Sequence, residues 1–264
     1  MIRDQLQREL NIKDVPKRII SLVPSQTELL VALGLEENIV GITKFCVHPE
    51  HLRKSKTVVG GTKKVHFDKI RDLKADIILC NKEENTLEMV LDLEKIAPVH
   101  VSEIINFEDV LNLIEMYGKL FDRSQEANQL NLNLRKEKKE FEKEIPVIPK
   151  RVAYFIWRGP WMVAGGDTFI NSLLKLNGWE NVFENKESRY PEITLVELKD
   201  LKPDLILLSS EPFPFKEKHF EEIRQICNVR VELVDGEYFS WYGSRLIPAF
   251  AYFKKLQKLL SGSL

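Results

Sequence analysis

The chain has 264 residues, 44% hydrophobic and 30% charged, which suits a soluble globular protein of one or two domains. Its 39 basic and 40 acidic side chains leave a formal charge of -1, so no global basic field draws it to nucleic acid or to anionic membrane. Three cysteines, Cys46, Cys80 and Cys227, are too scattered and too odd in number for a disulfide framework or a paired-cysteine metal knuckle.

The first segment, Met1 to Leu10, contains acids and lacks the apolar stretch of a secretory leader. No apolar run approaches the roughly 20 residues that span a bilayer. The chain is therefore expected in the cytoplasm, or in the periplasm if a leader has been removed. Arg18 to Ser25 reads as an apolar strand entering a polar turn, and Thr27 to Gly34 as a short helix closed by glycine. Ser25 and Glu28 have capping-box spacing. The Ser25 and Thr27 hydroxyls and the Gln26 amide also stand where free helix N–H groups meet ligand atoms. Short strands are expected at Ile39 to Ile42 and Thr57 to Gly61, and a short helix at Phe67 to Leu73. Thr86 to Ile96 reads as a helix with Leu87, Val90 and Leu91 inward and Glu88 and Asp92 outward. Pro98 to Val101 is the next strand, and Phe107 to Leu120 an amphipathic helix with Val110, Leu111, Ile114 and Tyr117 on one face. Asp122 to Ile145 reads as one unbroken charged helix, about 35 Å long, with a thin stripe of Leu130, Leu134 and Phe141. Its charge run is a solvated face, and Pro146 and Pro149 stop it.

From Arg151 the pattern starts again. Arg151 to Trp157 matches the first strand, Gly165 to Thr168 the turn, and Phe169 to Gly178 the glycine-closed helix. Each copy has a second matched strand, Leu73 to Leu79 and Leu201 to Leu208, and a last helix runs from Ser244 to Leu259. Strands alternating with helices imply parallel sheets and right-handed crossovers. The expected fold class is α/β: two Rossmann-like lobes with parallel sheets, joined by one long rigid helix. Residues 1–121 form the N-terminal lobe, 122–149 the linker helix and 150–264 the C-terminal lobe. A cleft between lobes is the expected ligand site.

Aromatic residues gather outside the periodic stretches: Trp157, Trp161, Tyr190, Tyr238, Phe239, Trp241 and Tyr242. Part of this set is expected to be core packing, and the rest suits stacking on a large flat ligand. Trp179 reads as a core plug beside Val182 and Phe183. Arg158 and Arg245 suit ligand carboxylates or phosphate, with Asp235 as the competing partner of Arg245. Phe45, Cys46 and His48 put an aromatic ring, a thiol and an imidazole in one loop before Pro49, and the competing role is a partly buried turn. Cys80 closes an apolar strand and reads as a buried thiol.

No catalytic constellation emerges. His48, His51, His66, His100 and His219 form no HxxxH or HxH spacing, and the chain has no nucleophile elbow, Walker loop or CxxC. Gly165 and Gly166 lack the dinucleotide fingerprint despite their strand–turn–helix context. Cys46, His48 and His66 are the nearest approach to a soft metal set. No enzyme activity, resident cofactor or direct protein metal site is expected, although the ligand itself can carry cobalt or iron.

These stretches together resemble the helix-linked (class III) substrate-binding proteins of ABC importers, the family of vitamin B12-binding and ferric-siderophore-binding proteins. The resemblance covers roughly residues 15–260 and rests on Arg18 to Gly34, Ile39 to Ile42, Phe45 to Pro49 and Val59 to Leu79. In the second half it rests on Trp161 to Phe183, Tyr190 to Leu207 and Asp235 to Arg245. It implies a ligand-binding protein for a cobalamin-like or ferric-chelate (siderophore or haem) ligand, serving ABC-type import. Phe45 and His66 lie where relatives line the pocket. The implied ligand set is Ser25, Gln26, Phe45, His48, His66, Trp161, Tyr190, Tyr238, Trp241 and Arg245. Asp68 and Glu197 fall near the acids with which relatives meet the importer's membrane subunits. The chain is expected to act as a monomer. The competing function is a cytoplasmic enzyme or corrinoid-handling protein on the same fold.

Overall fold

The computed structural model describes residues 2–144 and 149–262. The chain folds as two compact α/β units. Unit 1 takes the residues up to Ile104, then Glu108–Lys136 and Trp241–Leu246; unit 2 takes Ile105–Phe107, Glu137–Ser240 and the residues from Ile247 on.

Unit 1 opens with a feature that the sequence reading missed, an antiparallel hairpin of β1 (Ile2–Arg3) and β2 (Glu9–Leu10). After it come β3 (Ile19–Ser21), α1 (Pro24–Ala32), β4 (Ile39–Ile42), α2 (Leu52–Ser55) and β5 (Thr57–Val58). The unit continues with α3 (Phe67–Asp72), β6 (Ile77–Asn81), α4 (Leu87–Leu93), β7 (Val99–Ser102) and α5 (Phe107–Leu120). The strands form one parallel sheet in the order β5-β4-β3-β6-β7. Every residue of β3, β6 and β7 is buried, as a parallel sheet covered on both faces requires. The hairpin is pinned by Asp4, 1% exposed, whose carboxylate accepts from Leu6 N (2.9 Å), Arg8 N (3.0 Å), Arg8 Nε (2.8 Å) and Val101 N (3.1 Å).

The charged helix α6 (Ser124–Glu144) has 21 residues. It starts after Asp122, which holds a positive φ of 55°; its predicted last residue, Ile145, and the stop at Pro146 lie outside the described residues. Leu130, Leu134 and Phe141 are buried, as their spacing predicts. The boundary between the units falls within this helix, after Lys136.

Unit 2 contains β8 (Lys150–Trp157), β9 (Met162–Val163), α7 (Phe169–Leu176), β10 (Trp179–Asn181), α8 (Leu195–Asp200) and β11 (Leu205–Ser209). It closes with α9 (Phe220–Arg224), β12 (Arg230–Val234), α10 (Glu237–Ser240) and α11 (Leu246–Ser261). Its parallel order is β10-β8-β11-β12, with β9 antiparallel to β8. Phe141 packs on Phe250 and Phe253 in this unit, with ring centroids 5.7 and 6.0 Å apart. Trp179 is 2% exposed and Phe183 1%, which places both in the core.

The sequence repeat has a structural cause. In unit 1, Asp76 accepts from the backbone N–H of Lys17 (2.8 Å) and Arg18 (2.9 Å), while the Arg18 guanidinium donates to the Leu73 carbonyl. In unit 2, Asp204 accepts from Arg151 N (2.7 Å), and Arg151 donates to the Leu201 carbonyl (2.9 Å). Lys74 and Lys202 both take positive φ, 45° and 47°, at the helix-to-strand turn. The same Leu-Lys-x-Asp turn thus ties a helix end to the start of β3 in unit 1 and of β8 in unit 2.

Three local expectations are corrected. Helix α1 starts at Pro24 with Val23 as its N-cap and no side-chain cap, so Ser25 lies inside the first turn and forms no capping box. Proline at the first helical position sets that start. Helix α4 ends at Leu93, short of Ile96. Its buried face is Met89, Val90 and Leu93, while Leu87 and Leu91 are 68% and 51% exposed. Leu87 and Leu91 are four residues apart and share the outward face.

Candidate functional site

Open parallel sheets bind ligands outside the carboxyl ends of their strands, where the strand order reverses. In unit 1 that point lies between β3 and β6. The chain fills it with its own side chains. Gln26, fully buried on α1, has its amide nitrogen 2.6 Å from Ser102 Oγ and 2.9 Å from Tyr242 Oη, and its carbonyl oxygen accepts from Tyr117 Oη at 2.7 Å. Asn81 Nδ2 donates to Ser102 Oγ at 3.0 Å. Burial pushes the Tyr117 and Tyr242 hydroxyls up from their ordinary range, so both stay protonated donors. Gln26, read as a ligand contact, is instead a spent amide within the core, and Ser25 beside it is 3% exposed.

Tyr242 arrives on the segment Trp241–Leu246, which the sequence reading assigned to the C-terminal lobe. Gly243, at φ 84°, lies so close to α1 that a Cβ there would stand 3.3 Å from Leu29 Cβ. Arg245 donates from Nε to Glu28 at 2.9 Å, the acid in place of the expected Asp235, and its guanidinium lies 5.3 Å from the Trp241 ring. His48 meets the same indole edge-on at 5.5 Å. The fold therefore brings His48, Trp241 and Arg245 together, with Trp241 only 7% and Arg245 only 9% exposed.

What this edge presents outward is different. Phe45 is 48% exposed after β4. Lys44 Nζ stands 4.9 Å from its ring. The turn 60–65 packs against that ring, and His66, exposed, follows it as the N-cap of α3. Cys46, between the Thr27 and Thr43 hydroxyls at 3.1 and 3.3 Å, is fully buried. Burial raises its pKa and keeps it a thiol, which is a poor metal ligand. Among the described residues no group of three or more His, Cys, Asp or Glu side chains is placed to hold a metal ion.

In unit 2 the reversal lies between β8 and β11. Here an aromatic cluster stands at the carboxyl ends. Trp157, 38% exposed, meets Phe213 edge-on at 5.6 Å, and Phe213 leans on Phe215 at 4.7 Å. Trp161 stacks on Phe215 at 6.2 Å, and the Arg158 guanidinium lies over the Trp161 ring at 5.5 Å. Arg158 is held by Glu222 through two hydrogen bonds, 2.8 and 2.9 Å. His219, 6% exposed, accepts the Lys216 N–H on Nδ1 and packs on Phe213 and Phe215. Tyr190 is half-buried in its loop, and Tyr238 stacks on Tyr252 at 4.7 Å. Phe213 and Phe215 were missed in the sequence. Their Pro-Phe-Pro-Phe run follows β11, the strand matched to Leu79 by the repeat, and that placement was the available signal.

Two cavities among the described residues, of about 510 Å³ beside Met116 and Arg3 and about 400 Å³ beside Arg8 and Glu94, border none of these residues.

The pattern of the periplasmic binding protein family matches residues 19–226. This chain belongs to that family. Among its relatives, an uncharacterized ABC transporter substrate-binding lipoprotein of Bacillus subtilis (strain 168), YvrC, is 29% identical over 93% of this chain and 81% of its own length. The vitamin B12-binding protein of Vibrio vulnificus (strain YJ016) is 24% identical over 73% of this chain and 71% of its own. The fold is similar to that of the periplasmic vitamin B12-binding protein BtuF of Vibrio cholerae, with a TM-score of 0.76 over 93% of this chain and 98% of that one at 18% identity. The periplasmic heme-binding protein RhuT of Roseiflexus sp. RS-1 gives a TM-score of 0.79 over 91% and 97% at 17% identity. The periplasmic binding protein family is one of substrate-binding proteins of transporters, and this chain is a binding protein of that kind. The family and its relatives overturn the cytoplasmic placement expected from the first ten residues. Ile2 to Leu10 fold into the β1–β2 hairpin.

Proposed function

We propose that this periplasmic binding protein captures a cobalamin-like or ferric-chelate ligand for an ABC importer, at the carboxyl edges of its sheets. The carrying observation is that the switch point of unit 2 presents the exposed Trp157 edge-on to the half-buried Phe213, backed by Phe215, Trp161 and His219. A broad macrocycle or an aromatic chelate matches such a surface by stacking and apolar burial. Relatives named for vitamin B12 and heme support the same ligand size. Phe45 and His66 are the exposed members of the sequence-derived set and His48, Trp161, Tyr190 and Tyr238 are half-buried, whereas Trp241 and Arg245 act through packing. The test is a titration of tryptophan fluorescence with cyanocobalamin, cobinamide, haemin and ferric chelates. Saturable quenching by one of them supports the reading, and its absence with all of them refutes it.

For the importer, Asp68 is the better docking acid. Its side chain is 96% exposed on α3 and paired only locally, with Arg71 at 2.7 Å. Glu197 is engaged by Lys186 and stands beside Val196, which is 65% exposed. Replacing Asp68 with Arg is expected to weaken stimulation of a reconstituted importer without changing ligand affinity.

A further inference from the structure

The outward part of the unit 1 edge is cationic as well as aromatic. Lys44 N donates to Gly60 O at 2.8 Å and Gly61 N to Lys64 O at 2.7 Å, so the loop after β4 and the turn 60–65 are one backbone-bonded surface. The Phe45 ring lies on that turn: a Cβ at Gly61 would be 3.2 Å from Phe45 Cε2 and 3.6 Å from Lys44 Cε. The turn's tip carries Lys63 and Lys64, both exposed. Lys63 Nζ reaches the Glu83 carbonyl oxygen at 2.5 Å, which brings the loop after β6 alongside. The Lys44 ammonium thus lies over an exposed phenyl ring, and Lys63 and Lys64 stand on the turn against which that ring packs, with His66 following the turn.

Acids also face this edge. Glu83 and Glu84 are half-buried, and Glu103 is taken by Lys82. The exposed charges beside Phe45 and on the turn are Lys44, Lys63 and Lys64, and the exposed acid Asp68 lies on α3, beyond His66 and paired with Arg71. The crevice beside them is filled by Gln26 and Tyr242, so a ligand on unit 1 meets the lysine–phenylalanine rim and not the neutral polar core.

Resting on the ligand reading above, we infer that this rim selects an anionic ligand: a ferric chelate with charged catecholate or carboxylate donors, in preference to a corrinoid without net negative charge. Exposed lysines are strongly hydrated point charges that attract multiply charged ligands, and the attraction is screened by salt. A planar donor ring also fits against Phe45 while its oxygens face Lys44, Lys63 and Lys64.

The experiment compares three probes by tryptophan quenching: ferric tris-catecholate, a neutral ferric trihydroxamate and cyanocobalamin. The variant is Lys44→Gln/Lys64→Gln, which keeps the Lys63 hydrogen bond and hence the loop. Parent protein is expected to bind the tris-catecholate most tightly, with affinity that falls as sodium chloride is added. The double variant is expected to lose about tenfold toward that probe, the scale of two exposed Coulomb contacts with a multiply charged partner, and nothing toward the neutral chelate. An unchanged melting temperature confirms that the fold is intact. Equal or tighter binding of cyanocobalamin or of the neutral chelate overturns the inference and leaves the ligand reading standing. So does a double variant that binds the tris-catecholate like the parent. Failure of all three probes on the parent removes both.

Discussion

Arg245 and Glu28 form a nearly dry ion pair, Nε to carboxylate 2.9 Å, with 10% and 21% of their side-chain surface left exposed. The pair fastens the segment Trp241–Leu246 to α1, where Gly243 and Tyr242 also dock. Removing one partner strands the other charge in a poorly hydrated place. Glu28→Ala is therefore expected to destabilise the protein by about 2–4 kcal/mol in urea unfolding. A loss below about 0.5 kcal/mol, typical of solvated pairs, would show that the pair does not hold the segment.

Asp4 is the second point where one carboxylate organises a segment. It accepts three backbone N–H groups and the Arg8 guanidinium with 1% exposure. Asp4→Ala is expected to cost about 3 kcal/mol and to speed amide exchange at Val101, the β7 donor that loses its acceptor. Unchanged exchange at Val101 would mean that the hairpin stays docked without it.

Stability in acid reports on His100. Burial lowers its pKa from 6.5 to about 4, and its Nδ1 finds no partner. The unfolded chain takes up a proton on this residue at higher pH than the folded one. Its contribution is complete above about pH 6.5 and is lost as pH falls toward about 4, amounting to roughly 3 kcal/mol. His100→Leu is expected to remove that part of the slope, as seen in unfolding free energies measured between pH 7 and pH 4. An unaltered slope would assign the acid lability to other groups.

Trp157 and Trp241 are expected to part company on mutation. Trp157 is 38% exposed at the unit 2 edge, whereas Trp241 is 7% exposed between His48 and Arg245. Trp157→Ala is expected to weaken ligand binding by about 1–3 kcal/mol and to leave the melting temperature nearly unchanged. Trp241→Ala is expected to cost about 3–5 kcal/mol of stability. The reverse pattern would move the ligand surface from the unit 2 cluster to the returning segment.

Much of the architecture was legible because it depends on local pattern. The paired Leu-Lys-x-Asp turns, the glycines after α1 and α7 and the long charged stretch of α6 each announce an element within a few residues. The β1–β2 hairpin was not legible, because it is held by Asp4 reaching Val101 across 97 residues, and two-residue strands have no period to detect. Leu87 and Leu91 misled for a related reason: a helix of seven residues is too short for periodicity to establish its phase.

The candidate site divides along the same line. Residue types and their place after strands marked two α/β lobes with aromatic and basic loops, and the family resemblance implied a binding protein. Only tertiary structure decided which of those side chains remain available. Gln26 looked like a ligand contact at a helix start, yet Tyr117, Ser102 and Tyr242 satisfy both ends of its amide. Arg245 looked like a carboxylate receptor, yet Glu28 already occupies it. A side chain's chemistry is written in its identity, but its remaining hydrogen-bonding and surface depend on partners up to 217 residues away, and those are fixed when the chain packs.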